Sequence, residues 1–168
     1  MKNTLLLILA FFALTACSDT NNKLLDKLQT AVKKEPGKAG YTQVKLESIT
    51  DFEWDTLYYF AGQVSPEEIN DQIGIKWDGG KIPGGHDRLI FVKDNKVVSF
   101  VDYDLSEFPL QVFGCNTDQW IYPRNRSMFA AFKYCQGEKE VYAFIPEPCY
   151  DNIKELQQNK CTEVKKAE

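Results

Sequence analysis

Two apolar runs joined by a pair of turn-forming residues constrain this chain most. Arg88–Val92 and Lys96–Tyr103 flank Asp94-Asn95, and both of those residues tolerate the left-handed backbone that a tight hairpin demands. A hairpin cannot bury its own apolar side chains, so further strands and helices must cover it. A second pair, Ser127–Tyr134 and Lys139–Ile145, brackets the turn Gln136-Gly137-Glu138; Thr42–Ile49 alternates in part, and Trp54–Phe60 is also strand-like. Asn22–Lys34 carries Leu24, Leu25, Leu28 and Val32 at helical spacing and stops at Pro36-Gly37. In Ser65-Pro66-Glu67-Glu68 the serine caps a helix, the proline suits its first position and Glu68 completes a capping box. Ile69 and Ile73 give that helix a buried face, Gly74 ends it, and a last short helix is expected over Asp151–Gln158. The fold class expected is α+β: a single domain with a mostly antiparallel sheet, helices on one face of it and two disulfides.

Lys2 precedes a short apolar stretch, Thr4–Leu14, in the pattern of a secretory signal peptide. The stretch is too short for a membrane-spanning helix, which needs about 20 apolar residues. Leu14-Thr15-Ala16-Cys17 resembles the bacterial lipobox. That resemblance implies cleavage after Ala16 and lipidation of Cys17. The organisation expected is a signal peptide over 1–16, a lipidated tether over 17–22, the domain over 23–164 and a charged tail over 165–168. In enterobacterial lipoproteins an Asp after the modified cysteine favours inner-membrane retention. Ser18 stands there, so the resemblance points to a periplasm-facing anchor in the outer membrane rather than the inner.

Removing residues 1–16 leaves 152 residues, enough for one domain with a proper core. Lys2 leaves with them, so 19 Lys and Arg face 24 Asp and Glu. A net-negative domain without a basic run is a poor nucleic-acid binder, because that affinity rests on neutralising phosphates. Membrane contact belongs to the lipid, since two or more acyl chains hold stably where one does not.

With Cys17 acylated, four cysteines remain, and in an exported chain these read as two disulfides. Pro123-Arg124-Asn125-Arg126-Ser127 looks like a turn, and Cys115 and Cys135 lie equally far from Asn125. A symmetric hairpin would set them opposite each other within bonding reach. The pairs expected are Cys115–Cys135 and Cys149–Cys161. No Cys-x-x-Cys is present and the chain has one histidine, which argues against zinc or a redox pair.

That histidine, His86, sits in Gly79-Gly80-Lys81-Ile82-Pro83-Gly84-Gly85-His86-Asp87. It suggests a base beside a carboxylate, but no Gly-x-Ser-x-Gly elbow accompanies it, and the bland reading is a solvated side chain in a mobile loop. The glycines miss the phosphate-loop spacing and Pro83 removes a donor. Asp51, Glu53, Asp55, Asp102 and Asp104 alternate on strand-like segments. Paired carboxylates suit glycoside hydrolysis or calcium, but alternation of this kind marks a solvated sheet face. The aromatic load exceeds what one small core needs, and Tyr and Trp near Arg124 and Arg126 are interface residue types. The binding residues expected are Trp77, Lys81, His86, Arg124 and Arg126, with no catalytic residue, metal or cofactor.

Trp54-Asp55-Thr56-Leu57-Tyr58-Tyr59-Phe60, Ser65-Pro66-Glu67-Glu68-Ile69, Gly74, Trp77, Leu89-Ile90-Phe91-Val92-Lys93 and Val97-Val98 resemble a group of small bacterial envelope lipoproteins with no assigned activity. The resemblance covers roughly residues 50–105 and transfers no catalytic residue. The function expected is a non-enzymatic module (an inhibitor, immunity or assembly factor) that docks an envelope protein. The alternative is an envelope hydrolase using acidic residues with His86 or a serine.

Overall fold

Asp94 and Asn95 both take positive φ, 48° and 56°, and turn the chain tightly between its two longest apolar runs. The computed structural model describes residues 20–114 and 120–159. In chain order the elements are α1 (Asn22–Val32), β1 (Thr42–Lys45), α2 (Leu46–Ile49), β2 (Thr56–Phe60), α3 (Pro66–Ile73), β3 (His86–Lys93), β4 (Lys96–Asp104), β5 (Leu110–Val112), β6 (Ile121–Pro123), β7 (Met128–Gln136), β8 (Lys139–Pro146) and α4 (Ile153–Leu156). Tight 3-10 turns cover Arg124–Arg126 and Glu147–Asn152.

The α+β expectation holds, but one sheet becomes two. The first has the order β1-β7-β8-β5 and the second β4-β3-β2-β6. Every pairing is antiparallel except β5 with β8. The main core lies between the sheets: Leu57, Leu89, Phe91, Val101 and Tyr103 from the second meet Val44, Leu110, Phe129, Ala131 and Phe144 from the first. α1 adds Leu24, Leu28 and Val32 where the edge strands β1 and β4 lie on the same side.

Helices do not share one face either. The outer face of the second sheet packs Phe60, Ile90 and Phe100 against Ile69 and Ile73 of α3. The outer face of the first packs Phe132, Val141 and Ile145 against Ile153 of α4. Strands covered on both faces read as continuous apolar runs rather than alternating ones. β3 shows this, with every residue from Asp87 to Val92 buried. Three apolar clusters absorb the aromatic surplus. Trp54, Phe108, Phe129 and Phe144 are fully buried, and Phe129 stacks on Phe144 at 4.1 Å.

Local signals formed as their chemistry dictates. The Ser65 hydroxyl accepts from the Glu68 N–H, the Glu68 carboxylate accepts from the Ser65 N–H, and Gly74 closes α3 at φ 69°. Thr42–Ile49 splits into β1 and α2, and the terminal helix begins as a 3-10 turn.

The turn at Pro123–Ser127 is real but joins no hairpin. β6 pairs with β2 in one sheet and β7 with β1 and β8 in the other. Cys135 stands opposite Glu140 on β8, so the mirror symmetry about Asn125 is not a strand register. Cys115, Cys161, the lipobox cysteine Cys17, the signal peptide and the charged tail lie outside the described residues.

Candidate functional site

At one end of the sandwich the sheets part around a buried carboxylate. Asp87 occupies the inward-facing parity of β3, shared with Leu89 and Phe91, and is only 5% exposed. Its Oδ1 accepts from the Gly62 N–H at 2.7 Å and its Oδ2 from the Tyr59 hydroxyl at 2.8 Å. The Tyr103 hydroxyl lies 3.5 Å from the same Oδ2 and 3.3 Å from the Leu110 carbonyl, with one proton for two acceptors. Burial, then the Asp87 carboxylate, pushes Tyr59 up, and burial pushes Tyr103 up as well. Both phenols therefore remain donors across the physiological range. Gly62 is required here, because a Cβ would approach the His86 carbonyl to 2.5 Å.

Above this cluster opens a cleft of about 380 Å³ that Tyr59, Asp87, Leu105, Leu110, Lys139 and Val141 help to line. Two large apolar side chains are exposed among the described residues: Leu105 at 38% and Trp120 at 46%. Leu105 lines the cleft with Tyr59, and the Tyr59 N–H donates to the Trp120 carbonyl at 3.1 Å. The Trp120 backbone thus adjoins Tyr59, and its ring lies over Gly114. A larger hollow of about 440 Å³ lies over the loop from Glu35 to Gln43, but among the described residues no cluster of bonded polar side chains like that of Asp87 lies beneath it.

The residues expected to bind do not form one face. His86 and Asp87 are strand neighbours and point to opposite faces of the sheet, so they make no dyad. The His86 imidazole Nδ1 lies 3.1 Å from the Gly84 carbonyl, and His86 stands opposite Asp104 on β4. The glycine segment is pinned rather than loose. Ile82 is buried, the Gly80 carbonyl accepts from Arg88 at 2.9 Å, and the Trp77 N–H donates to Asn70 at 3.0 Å. The Trp77 ring packs edge-on against Phe100 at 5.1 Å, which makes Trp77 part of the outer core. Lys81 is exposed. Arg124 and Arg126 follow β6 at the far end of the sheet. Arg124 pairs with Glu53 and lies 3.8 Å from Glu47; Arg126 is exposed. The eight residues of β3 separate His86 from the Arg124 end of the sheet, about 25 Å.

The alternating acids are dispersed in the same way. Asp51 holds Lys23 at 2.6 Å and Lys27 at 3.2 Å, Glu53 holds Arg124, and Asp55 accepts from the Asp94 N–H at 3.0 Å. The Ser106 N–H donates to Asp104 at 2.7 Å, and bonding to Ser106 holds this carboxyl below its ordinary value. Asp102 forms a buried, bidentate pair with Arg88 at 2.6 and 2.7 Å. No group of three or more His, Cys, Asp or Glu side chains converges as a metal site among the described residues. Nor is any described helix long and apolar enough to cross a membrane.

Sequence reasoning missed Asp87, Tyr59 and Leu105 as site residues. A signal for Asp87 was present: a carboxylate two residues before Leu89 and four before Phe91 stands on the core face of a strand, where charge needs a partner. No family model, curated protein or solved structure matches the chain.

Proposed function

We propose that this is a lipid-anchored protein of the bacterial envelope, held by acylated Cys17 in the outer membrane and facing the periplasm, that binds a protein partner without transforming it. The observation that carries the reading is the end of the sandwich around Tyr59. There a cleft with apolar walls is lined by the exposed Leu105, and the backbone of a second exposed apolar residue, Trp120, is bonded to Tyr59, the combination that marks contact surfaces. The polar groups beneath are already bonded to each other. Asp87 has donors on both oxygens, and both phenols stay protonated. Such a cluster shapes the cleft floor rather than exchanging protons there.

Two disulfides belong to the same reading. Cys135 and Cys149 are each disulfide-bonded, and both are buried. The Cys135 N–H donates to the Asn159 carbonyl at 2.8 Å, which brings the chain beside Cys135 two residues before Cys161. That favours Cys135–Cys161 with Cys115–Cys149 over the pairs expected from spacing.

The test compares the full chain with Leu105→Asp and Trp120→Ala in a pull-down from detergent-solubilised envelope. Loss of a specific captured protein in both variants, with unchanged melting, supports docking through this end. A purified protein that turns over a cell-wall or lipid substrate, and stops on His86→Ala alone, refutes it. Acyl mass lost on Cys17→Ala checks the anchor separately.

A further inference from the structure

Thr20 and Asn21, expected to belong to the lipidated tether over 17–22, are bound along the outer edge of β4. The Asn21 N–H donates to the Phe100 carbonyl at 2.8 Å, its side-chain amide donates to the Ser99 hydroxyl at 3.0 Å, and its Oδ1 accepts from the Leu24 N–H at 3.0 Å. The Asp102 N–H donates to the Thr20 hydroxyl at 2.9 Å. These contacts also cap the first turn of α1 and occupy the edge of an otherwise open nine-residue strand. The tether residues that the structure describes are therefore part of the domain.

Their direction matters. Asn21 lies by Ser99 and Phe100, and Thr20 by Asp102, so toward the N-terminus the chain heads for the Asp104 end of β4. Asp104 stands opposite His86, and the Leu105 N–H donates to the Gly85 carbonyl at 3.0 Å. This is the end of the sandwich at which the cleft opens. Two residues, Ser18 and Asp19, lie between Thr20 and Cys17, a span of at most about 11 Å.

We infer that the cleft end of the domain stands directly against the bilayer holding the Cys17 lipid. The end carrying Lys45, Lys96 and Arg124 then points away, about 25 Å further out. The inference rests on the lipid-anchor reading. It makes the cleft accessible to a group presented at the surface of that same membrane. A partner reaching across from the opposite membrane would meet the Arg124 end instead.

The experiment is lysine acetylation read by peptide mass spectrometry, on the acylated full chain floated with phosphatidylethanolamine–phosphatidylglycerol vesicles and again after detergent release. Lys139 lines the cleft, Lys81 lies between Gly80, bonded to Arg88, and Pro83, bonded to His86, near the same end, Lys45 and Lys96 lie at the other, and all four are exposed. Lys81 and Lys139 should label several-fold more slowly on vesicles, while Lys45 and Lys96 keep their detergent rates. A flexible insert of roughly 20 Gly and Ser residues before Thr20, with a reach of about 25 Å, should abolish that protection without changing the fold. Equal labelling of all four lysines in floated protein overturns the inference and leaves the anchor reading standing. Acylated protein protected at Lys45 and Lys96 instead overturns it by reversing the orientation. Protein that carries no acyl mass and does not float removes both.

Discussion

Asp102→Ala tests the most costly electrostatic feature of the domain. The Arg88 side chain is 2% exposed and that of Asp102 10%. Two charge-assisted bonds join them, and the third guanidinium contact runs to the Gly80 carbonyl at 2.9 Å. Removing the carboxylate strands a buried cation, a change that costs about 3–5 kcal/mol. Two effects favour the lower end of that range: water reaches one side of Asp102, and the guanidinium keeps the rings of Phe100 at 4.9 Å and Trp77 at 5.4 Å. The expected loss is about 3 kcal/mol, a large share of the 5–15 kcal/mol typical of a domain. At about 2–4 °C per kcal/mol for this size, the melting temperature should fall by about 6–12 °C. Arg88→Met with Asp102→Ala removes both charges and leaves mainly the Gly80 carbonyl without its donor, at about 1 kcal/mol. The double variant should therefore be more stable than Asp102→Ala alone. Urea unfolding followed by circular dichroism, with disulfides intact, measures the unaltered protein, Asp102→Ala, Arg88→Met and the double variant. If Asp102→Ala costs under about 1 kcal/mol, or if the single losses simply add in the double variant, the pair is screened by water and the reasoning fails.

Gly79→Ala should displace the Trp77 ring, because a Cβ there would overlap the indole, whereas Gly84→Ala meets nothing and has ordinary φ. Melting and tryptophan fluorescence should change for the first and not the second, and equal behaviour refutes the packing. Lys23 and Lys27 hold the Asp51 carboxyl at about 2, below its ordinary 3.8. Its ion pairs thus stabilise above pH 4 and are lost as pH falls from about 4 to about 2. Asp51→Asn should flatten that limb of the melting curve at low salt, and salt should shrink the difference; identical slopes would show the pairs contribute nothing. Non-reducing peptide mapping should recover Cys135–Cys161 and Cys115–Cys149, and a Cys115–Cys135 peptide would restore the hairpin symmetry that the strand register denies.

Local structure was legible wherever one turn or cap decides it. Asp94-Asn95, the Ser65–Glu68 box and Gly74 act through bonds within a few residues, and each formed where its chemistry requires. The division into two sheets was not legible, because it depends on which strands pair at long range. β6 and β7 are separated by one 3-10 turn and nevertheless pair in different sheets. Nothing local in Arg124–Arg126 says so. The aromatic count misled for a related reason: one small core cannot hold so many rings, and the described residues fill three. The glycine segment looked mobile by composition, and the residue that pins it, Arg88, lies outside it on β3.

The same distinction governs the site. His86 attracted notice as the chain's one histidine among glycines, but rarity is not position. As the first residue of β3 it has the outward parity, and one step along, Asp87 has the inward one. A carboxylate among Leu89, Phe91 and Tyr103 must collect donors or remain unburied. It collects Tyr59, Tyr103 and the turn at Gly62, and this draws β2, β3 and β4 together at the end where the sandwich opens. Leu105 follows directly from β4 at that end. The register that buries Asp87 therefore also sets the exposed leucine over the cleft. Thr20 and Asn21 lie along the same strand, so one edge sets both where the cleft opens and which way the chain leaves toward Cys17.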